Sequence, residues 1–215
     1  LGTLNMADLA LKIAQAPADQ ALLLKTSAYL LLIVFLLKAA ILPFNLWLPI
    51  SYQAAPPVVA ALFTLLSKVG IYAIIRLTVL LFGANAGVVA GTGSDILLCL
   101  AIASLLWAGF MALSAKTLRD LLGFSLLASV GTLLMGIAQA SPDALSASLY
   151  YMPTGTLLLA FGYVCAAEIQ ATRTDTQDQL QGGASLAPWL KIAIFIMILG
   201  ISGLPPMAGF VAKVW

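Results

Sequence analysis

Three lysines stand where water should be scarce. Lys38 lies in LLLIVFLLKAAILPF, Lys68 in VVAALFTLLSKVGIYAII and Lys213 in ISGLPPMAGFVAKVW, each inside a run otherwise dominated by apolar residues. A charged side chain at the centre of a bilayer costs about 2.5–3.5 kcal/mol on insertion scales, so such residues face a protein interior or a water-filled cavity. Burial disfavours the charged form of a lysine and a nearby carboxylate restores it. A lysine held between those effects can take up or release a proton when its partner moves. The competing reading is structural: the amines would bridge helices by hydrogen-bonding carbonyls freed at proline breaks.

Those breaks are written beside two of the lysines. Pro43 follows Lys38 by five residues, and Pro205 and Pro206 precede Lys213 among Gly200, Gly203 and Gly209. Proline removes a backbone donor and its ring clashes with the carbonyl four residues earlier, so both runs should be membrane helices interrupted near a lysine. Discontinuous helices in corresponding places of two halves point to a transporter site. On the run that carries Lys68, Thr64, Lys68 and Tyr72 recur every four residues and should stack on one side, turned toward neighbouring helices. Arg76 either extends that stripe or snorkels to the headgroups.

Composition sets the elements that must position these groups. Apolar residues make up 62% of the chain and charged residues 8%, which excludes an ordinary soluble domain and marks a polytopic, all-α membrane protein. A net charge of +2 is too small to imply nucleic acid. Cys99 and Cys165 stand alone and histidine is absent, so iron–sulfur, zinc, disulfide and His-ligated haem readings lack support; no metal or cofactor is expected.

About six spans are expected within a single membrane domain, at 27–47, 58–82, 96–114, 121–140, 145–166 (interrupted at Pro153) and 188–215 (truncated). Trp47 and Tyr52 suit the membrane interface. Residues 1–24 read as an extramembrane stretch with a short surface helix, divided at Pro17. Ser125, Ser129 and Thr132, with Gly123, Gly131 and Gly136, read as packing residues. Glu168 and Asp95 fall at span ends, where a solvated or interfacial role is expected. Lys116, Arg119, Arg173 and Lys191 would share one side, and Lys12, Lys25 and Arg76 the other; the positive-inside rule puts the first group in the cytoplasm. The chain opens at Leu1 and stops at Trp215 inside an apolar run, so the expectation is a fragment of a longer chain.

GTLNMADL, KAAILPFNLWLPISYQAAPPVVAALFTLLSKVGIYAIIR and GLPPMAGFVAK resemble the D-type member of the multisubunit Mrp-type (Pha or Mnh) cation/proton antiporters, a group similar to the antiporter-like subunits of respiratory complex I and of membrane-bound hydrogenases. The resemblance covers nearly the whole chain. It implies an inverted-repeat antiporter-like fold of which this chain holds a part, set in a bacterial inner membrane among other membrane subunits. It also implies a transporter component, not itself an enzyme, that moves protons and Na⁺ or K⁺. By the same resemblance, Lys38 and Lys213 match the lysines of the two broken helices and Lys68 that of the helix after the first. The family's essential glutamate would lie upstream of Leu1. Relatives carry a histidine at the position of Thr154, and a threonine cannot take up a proton near neutral pH. The relay between Lys68 and Lys213 would then pass through water. The alternative is a proton-pumping subunit of a quinone reductase or hydrogenase; a purely scaffolding role is a third possibility, in which the lysines tolerate neutral substitution.

Overall fold

The computed structural model describes residues 2, 3, 5–173, 179, 180, 186–205 and 207–214, with the side chains of Ala208, Ala212 and Lys213 left out. Among the described residues it is built of helices: α1 (Met6–Ala14), α2 (Ala21–Ala39), α3 (Trp47–Ala54), α4 (Pro57–Leu80), α5 (Ser94–Leu113), α6 (Leu118–Ala138), α7 (Pro142–Thr172), α8 (Pro188–Ser202) and α9 (Ala208–Val214). Five helical segments are long and apolar enough to cross a membrane: Ala18–Ala39, Pro57–Leu80, Gly87–Leu113, Leu118–Ala138 and Pro142–Thr172. Large apolar side chains on their outer faces, such as Leu106, Phe110 and Leu157, are each 70% exposed, as suits contact with acyl chains. This is a multi-pass membrane protein.

The first expected span is divided. α2 ends at Ala39, four residues before Pro43, because the proline has no N–H for the Ala39 carbonyl and its ring would strike that group. Ala40 turns left-handed at φ 58°, and the Ala40 and Ile41 amides donate to the Leu37 and Leu36 carbonyls at 3.1 and 3.0 Å. α3 then starts at Trp47, so the expected span 27–47 is replaced by α2, an irregular stretch over 40–46 and a short second helix. Lys38 consequently occupies the last turn of α2 and stands near the middle of the composite stretch 21–54. Trp47, 40% exposed, has a second role: its indole N–H donates to the Leu37 carbonyl at 3.2 Å and helps close the break. Tyr52, expected at the interface, is instead buried, 2% exposed, with its hydroxyl donating to the Phe63 carbonyl.

α4 begins with Pro57 in its first turn, where the missing donor costs nothing. It packs on α2, α6 and α7. Gly70 makes the α2 contact possible, since a Cβ there would stand 2.9 Å from the Ala39 backbone nitrogen. This close approach therefore joins the last residue of α2 to a point on α4 just past Lys68.

α7 passes through Pro153 without interruption, contrary to the expected break. The carbonyl that Pro153 deprives of a donor is that of Leu149, whereas the Thr154 hydroxyl donates to the Tyr150 and Tyr151 carbonyls at 3.1 Å each. What holds the helix through the proline is its packing on α4, α6 and α8. Glu168 is therefore still helical, one turn short of the α7 end at Thr172, and it is exposed.

The last run is broken as expected. Gly203 ends α8 in the left-handed region at φ 75°, with its own amide and that of Leu204 returning to the Leu199 carbonyl at 3.1 and 3.2 Å. Pro205 follows in the break, and Pro206 lies outside the described residues. Lys213 belongs to α9, after the break, whereas Lys38 precedes its own; the Lys213 side chain lies outside the described residues.

Loop contacts group the charged turns. The α5–α6 turn carries a capping box in which Thr117 and Asp120 satisfy each other's backbone amides. Asp120 also accepts from Gln53 at 2.7 Å, Arg119 donates to the Gln53 carbonyl at 2.9 Å, and Leu180 donates to the Lys116 carbonyl at 3.0 Å. The turn at 115–120 and residues 179 and 180 thus share one end of the bundle with the C-terminus of α3. Elsewhere α1 packs on the Gly87–Val89 turn, and Pro17 separates α1 from α2 as expected.

Candidate functional site

Lys68 is 4% exposed, and its amine donates to the Ser129 hydroxyl at 2.6 Å. Apolar packing of α4 on α6 and α7 places it there: Ile71, Ile74 and Ile75 bury one face of α4, and Thr64, Ser67 and Lys68 follow the same face toward the helix start. Among the described residues Ser129 is its one polar partner, and no carboxylate reaches it. An ammonium has three N–H donors, so two of them find water or stay unsatisfied.

A cavity of about 100 Å³ adjoins this contact, lined by Ser129, Ser125, Thr132, Tyr151, Gly155 and Gly200 among others. Liquid water occupies about 30 Å³ per molecule, so the space suits a few waters. Ser125 and Thr132 donate to the Leu121 and Ala128 carbonyls, which leaves their oxygens as acceptors toward the cavity. Gly200 closes the far side, three residues before the left-handed turn that ends α8. The cavity therefore extends from the partner of Lys68 to the last turn before the second break.

The expected polar stripe on α4 is only half buried. Thr64 is 0% exposed and Lys68 4%, but Tyr72 is 49% exposed and Arg76 is exposed. Four residues advance a helix by about 40° beyond a full turn, so three steps carry the stripe about 120° around the axis and out of the interface. Arg76 makes no described contact with the Lys68 site.

Lys38 is exposed, with no described polar partner. At its break the Ala40 and Trp47 donors take the Leu37 carbonyl and the Ile41 amide takes that of Leu36, and the Lys38 amine has no described bond to a carbonyl there. Lys38 and Lys68 lie on packed helices but are not in contact.

Thr154 does not join the Lys68 site. Its hydroxyl is committed to α7, and the side chains that reach the cavity from that helix belong to Tyr151 and its neighbours. Tyr151 is a residue that sequence reasoning missed, and the role of Ser129 as the partner of Lys68 was not foreseen. Ser129 is more than the packing residue its spacing suggests; its signal was a hydroxyl on a helix next to a buried amine in need of an acceptor.

The chain matches the family described as NADH:quinone oxidoreductase/Mrp antiporter, TM, over residues 1–215. It belongs to that family. It is 33% identical to a probable K⁺/H⁺ antiporter component, the D-type one, of Rhizobium meliloti (strain 1021), a match covering 99% of this chain and 43% of that protein. Identity is also 33% to the corresponding D-type component of the Na⁺/H⁺ antiporter of Alkalihalophilus pseudofirmus, over 99% of this chain and 42% of the relative. Among solved structures, a chain of the Mrp complex from Dietzia sp. DQ12-45-1b superposes with a TM-score of 0.85 at 25% identity, covering 100% of this chain and 39% of that one. The chain thus spans less than half the length of these family members. The antiporter-like fold and the family stated from sequence are both met, and the structural neighbour is a chain of a multisubunit membrane complex.

Proposed function

We propose that this chain is part of a subunit of a multisubunit monovalent cation/proton antiporter in a bacterial inner membrane, exchanging Na⁺ or K⁺ for protons. Within it, Lys68 is the central proton-handling group, Lys38 receives or delivers protons on one side and Lys213 on the other. The observation that carries this reading is the buried Lys68 amine, held by a neutral hydroxyl at 2.6 Å beside a cavity whose mostly apolar wall carries the Ser125, Ser129, Thr132 and Tyr151 side chains and which extends toward the α8 break. A fixed carboxylate would lock the amine as a cation; a hydroxyl accepts from the ammonium and can donate to the free amine, so it serves both protonation states. The exposed Lys38 amine suits a partner supplied by the remainder of the longer protein, a carboxylate being the group that would stabilise its charge. Lipid and other membrane subunits cover the apolar outer faces.

The test is transport by the complete complex in inverted membrane vesicles, read as acridine-orange dequenching on addition of NaCl or KCl. Lys68→Ala and Lys38→Ala are each expected to lower exchange at least about tenfold at unchanged complex content, a rise of about 1.4 kcal/mol or more in the transport barrier. Wild-type exchange in assembled Lys68→Ala complex rejects the reading. The family also includes quinone oxidoreductase subunits, so a proton-pumping role in a redox complex is the second reading. Co-purification of the full chain with iron–sulfur or flavin subunits favours it, and with small membrane subunits alone, the antiporter.

A further inference from the structure

The loop-side end of the bundle holds a second group of buried polar side chains that the Lys68–Ser129 contact does not use. Tyr52 on α3 and Tyr163 on α7 are 2% and 0% exposed, and their ring centroids are 5.9 Å apart. The Tyr52 hydroxyl donates to the Phe63 carbonyl of α4 and lies within reach of Ser67, which is fully buried and directly precedes Lys68. The Tyr163 hydroxyl is buried and has no hydrogen-bond partner among the described residues. Gly123 leaves room beside it on α6, since a Cβ there would stand 3.8 Å from the hydroxyl oxygen.

The Tyr163 ring packs against that of Tyr52, and Arg119 and Asp120 are the charged groups close enough to act on its hydroxyl electrostatically. Asp120 is half-buried at the first turn of α6 and, with Gln53 and Asn45, lines an opening of about 250 Å³. A phenylalanine would fill the space of Tyr163 without leaving a buried hydroxyl unsatisfied, and such groups are ordinarily satisfied by an ordered water. The polar groups then run from the charged turn at 117–120 through Tyr163 and Tyr52 to Ser67, whose hydroxyl donates to the Thr64 carbonyl at 3.3 Å; Ser67 precedes Lys68 in the chain without a described bond to its amine, so a water completes the last step.

We infer that Tyr163 and Tyr52 form the loop-side proton entry to Lys68, with a water on the Tyr163 hydroxyl joining it to the Asp120 end. In each step a hydroxyl oxygen takes the incoming proton while its own proton moves on, so one O–H bond forms as another breaks. The Tyr52 hydroxyl turns from the Phe63 carbonyl to Ser67 to pass it. The free amine of Lys68 gains the N–H bond, and each hydroxyl ends with the single proton it began with.

This inference rests on the proton-handling role of Lys68, and the experiment separates the two. In inverted vesicles containing the complete complex, Tyr163→Phe and Tyr52→Phe are each expected to slow cation-driven proton exchange about tenfold at equal complex content. A shared route further predicts that Tyr163→Phe combined with Asp120→Asn is no slower than the slower single variant. Wild-type rates in both phenylalanine variants overturn the entry path, as does a double variant whose loss is the product of the single losses. If Tyr163→Phe fails to assemble, the rate of Tyr52→Phe decides alone. Loss of exchange in Lys68→Ala with normal exchange in the phenylalanine variants rejects only the entry path, whereas normal exchange in Lys68→Ala rejects the underlying role.

Discussion

Replacing Ser129 with alanine removes the one described acceptor of a buried amine, and the consequence can be worked out from two observations. Hydrogen bonds to charged groups contribute about 1.5–3 kcal/mol, so loss of the 2.6 Å contact would weaken the protonated state of Lys68 by roughly 10- to 150-fold. The neighbouring cavity of about 100 Å³ reduces that figure, because a water there can take the place of the hydroxyl. A well-ordered water recovers most of a direct hydrogen bond at a cost of about 0–2 kcal/mol in immobilisation. The expected loss in exchange is therefore near the lower end, about tenfold. Ser129→Thr keeps the hydroxyl and is expected to retain most of the activity. Thr154→Val serves as the contrast: its hydroxyl is spent on the Tyr150 and Tyr151 carbonyls, so it should lower the thermal stability of the complex while changing exchange by less than about twofold. The assay is the same vesicle dequenching, normalised to assembled complex and paired with a thermal melt of the purified complex. Wild-type exchange in Ser129→Ala, or a larger loss in Thr154→Val than in Ser129→Ala, would refute the reasoning.

Two further substitutions probe the framework around the site. Gly70→Val puts a branched side chain where a Cβ alone would meet the Ala39 nitrogen at 2.9 Å; overpacking of this kind costs about 1–3 kcal/mol, and the measurement is the yield and melting temperature of the purified complex. Trp47→Phe removes the donor to the Leu37 carbonyl while keeping an aromatic ring, at about 1 kcal/mol, and is expected to speed amide hydrogen exchange at residues 40–46 with little change in α4; equal exchange at the break in both proteins would contradict the assigned capping role.

Much of the frame is legible in the residues themselves. Long apolar runs separated by proline and glycine dictate membrane helices, and Pro43 fixes the end of α2 at Ala39 through a local steric rule. The same rule fails at Pro153, because whether a helix survives a proline depends on what satisfies the freed carbonyls and on how the helix is held by its neighbours. α7 packs on α4, α6 and α8, and these contacts hold it helical through the proline. The polar stripe on α4 illustrates a related limit: its spacing is correct, but which of its members are buried depends on how far the packed face extends around the helix.

From its residues alone, this chain could be read as an all-helical membrane protein carrying amines in apolar surroundings beside two interrupted helices, since hydrophobic length and proline sterics act over a few residues at a time. Its sequence could not select Ser129 over Thr154 as the group that meets Lys68, nor bring Tyr52 and Tyr163 together. Those choices depend on the rotation of α3, α4, α6 and α7 about their axes, and that rotation is settled only when all of their apolar faces are packed against one another at once.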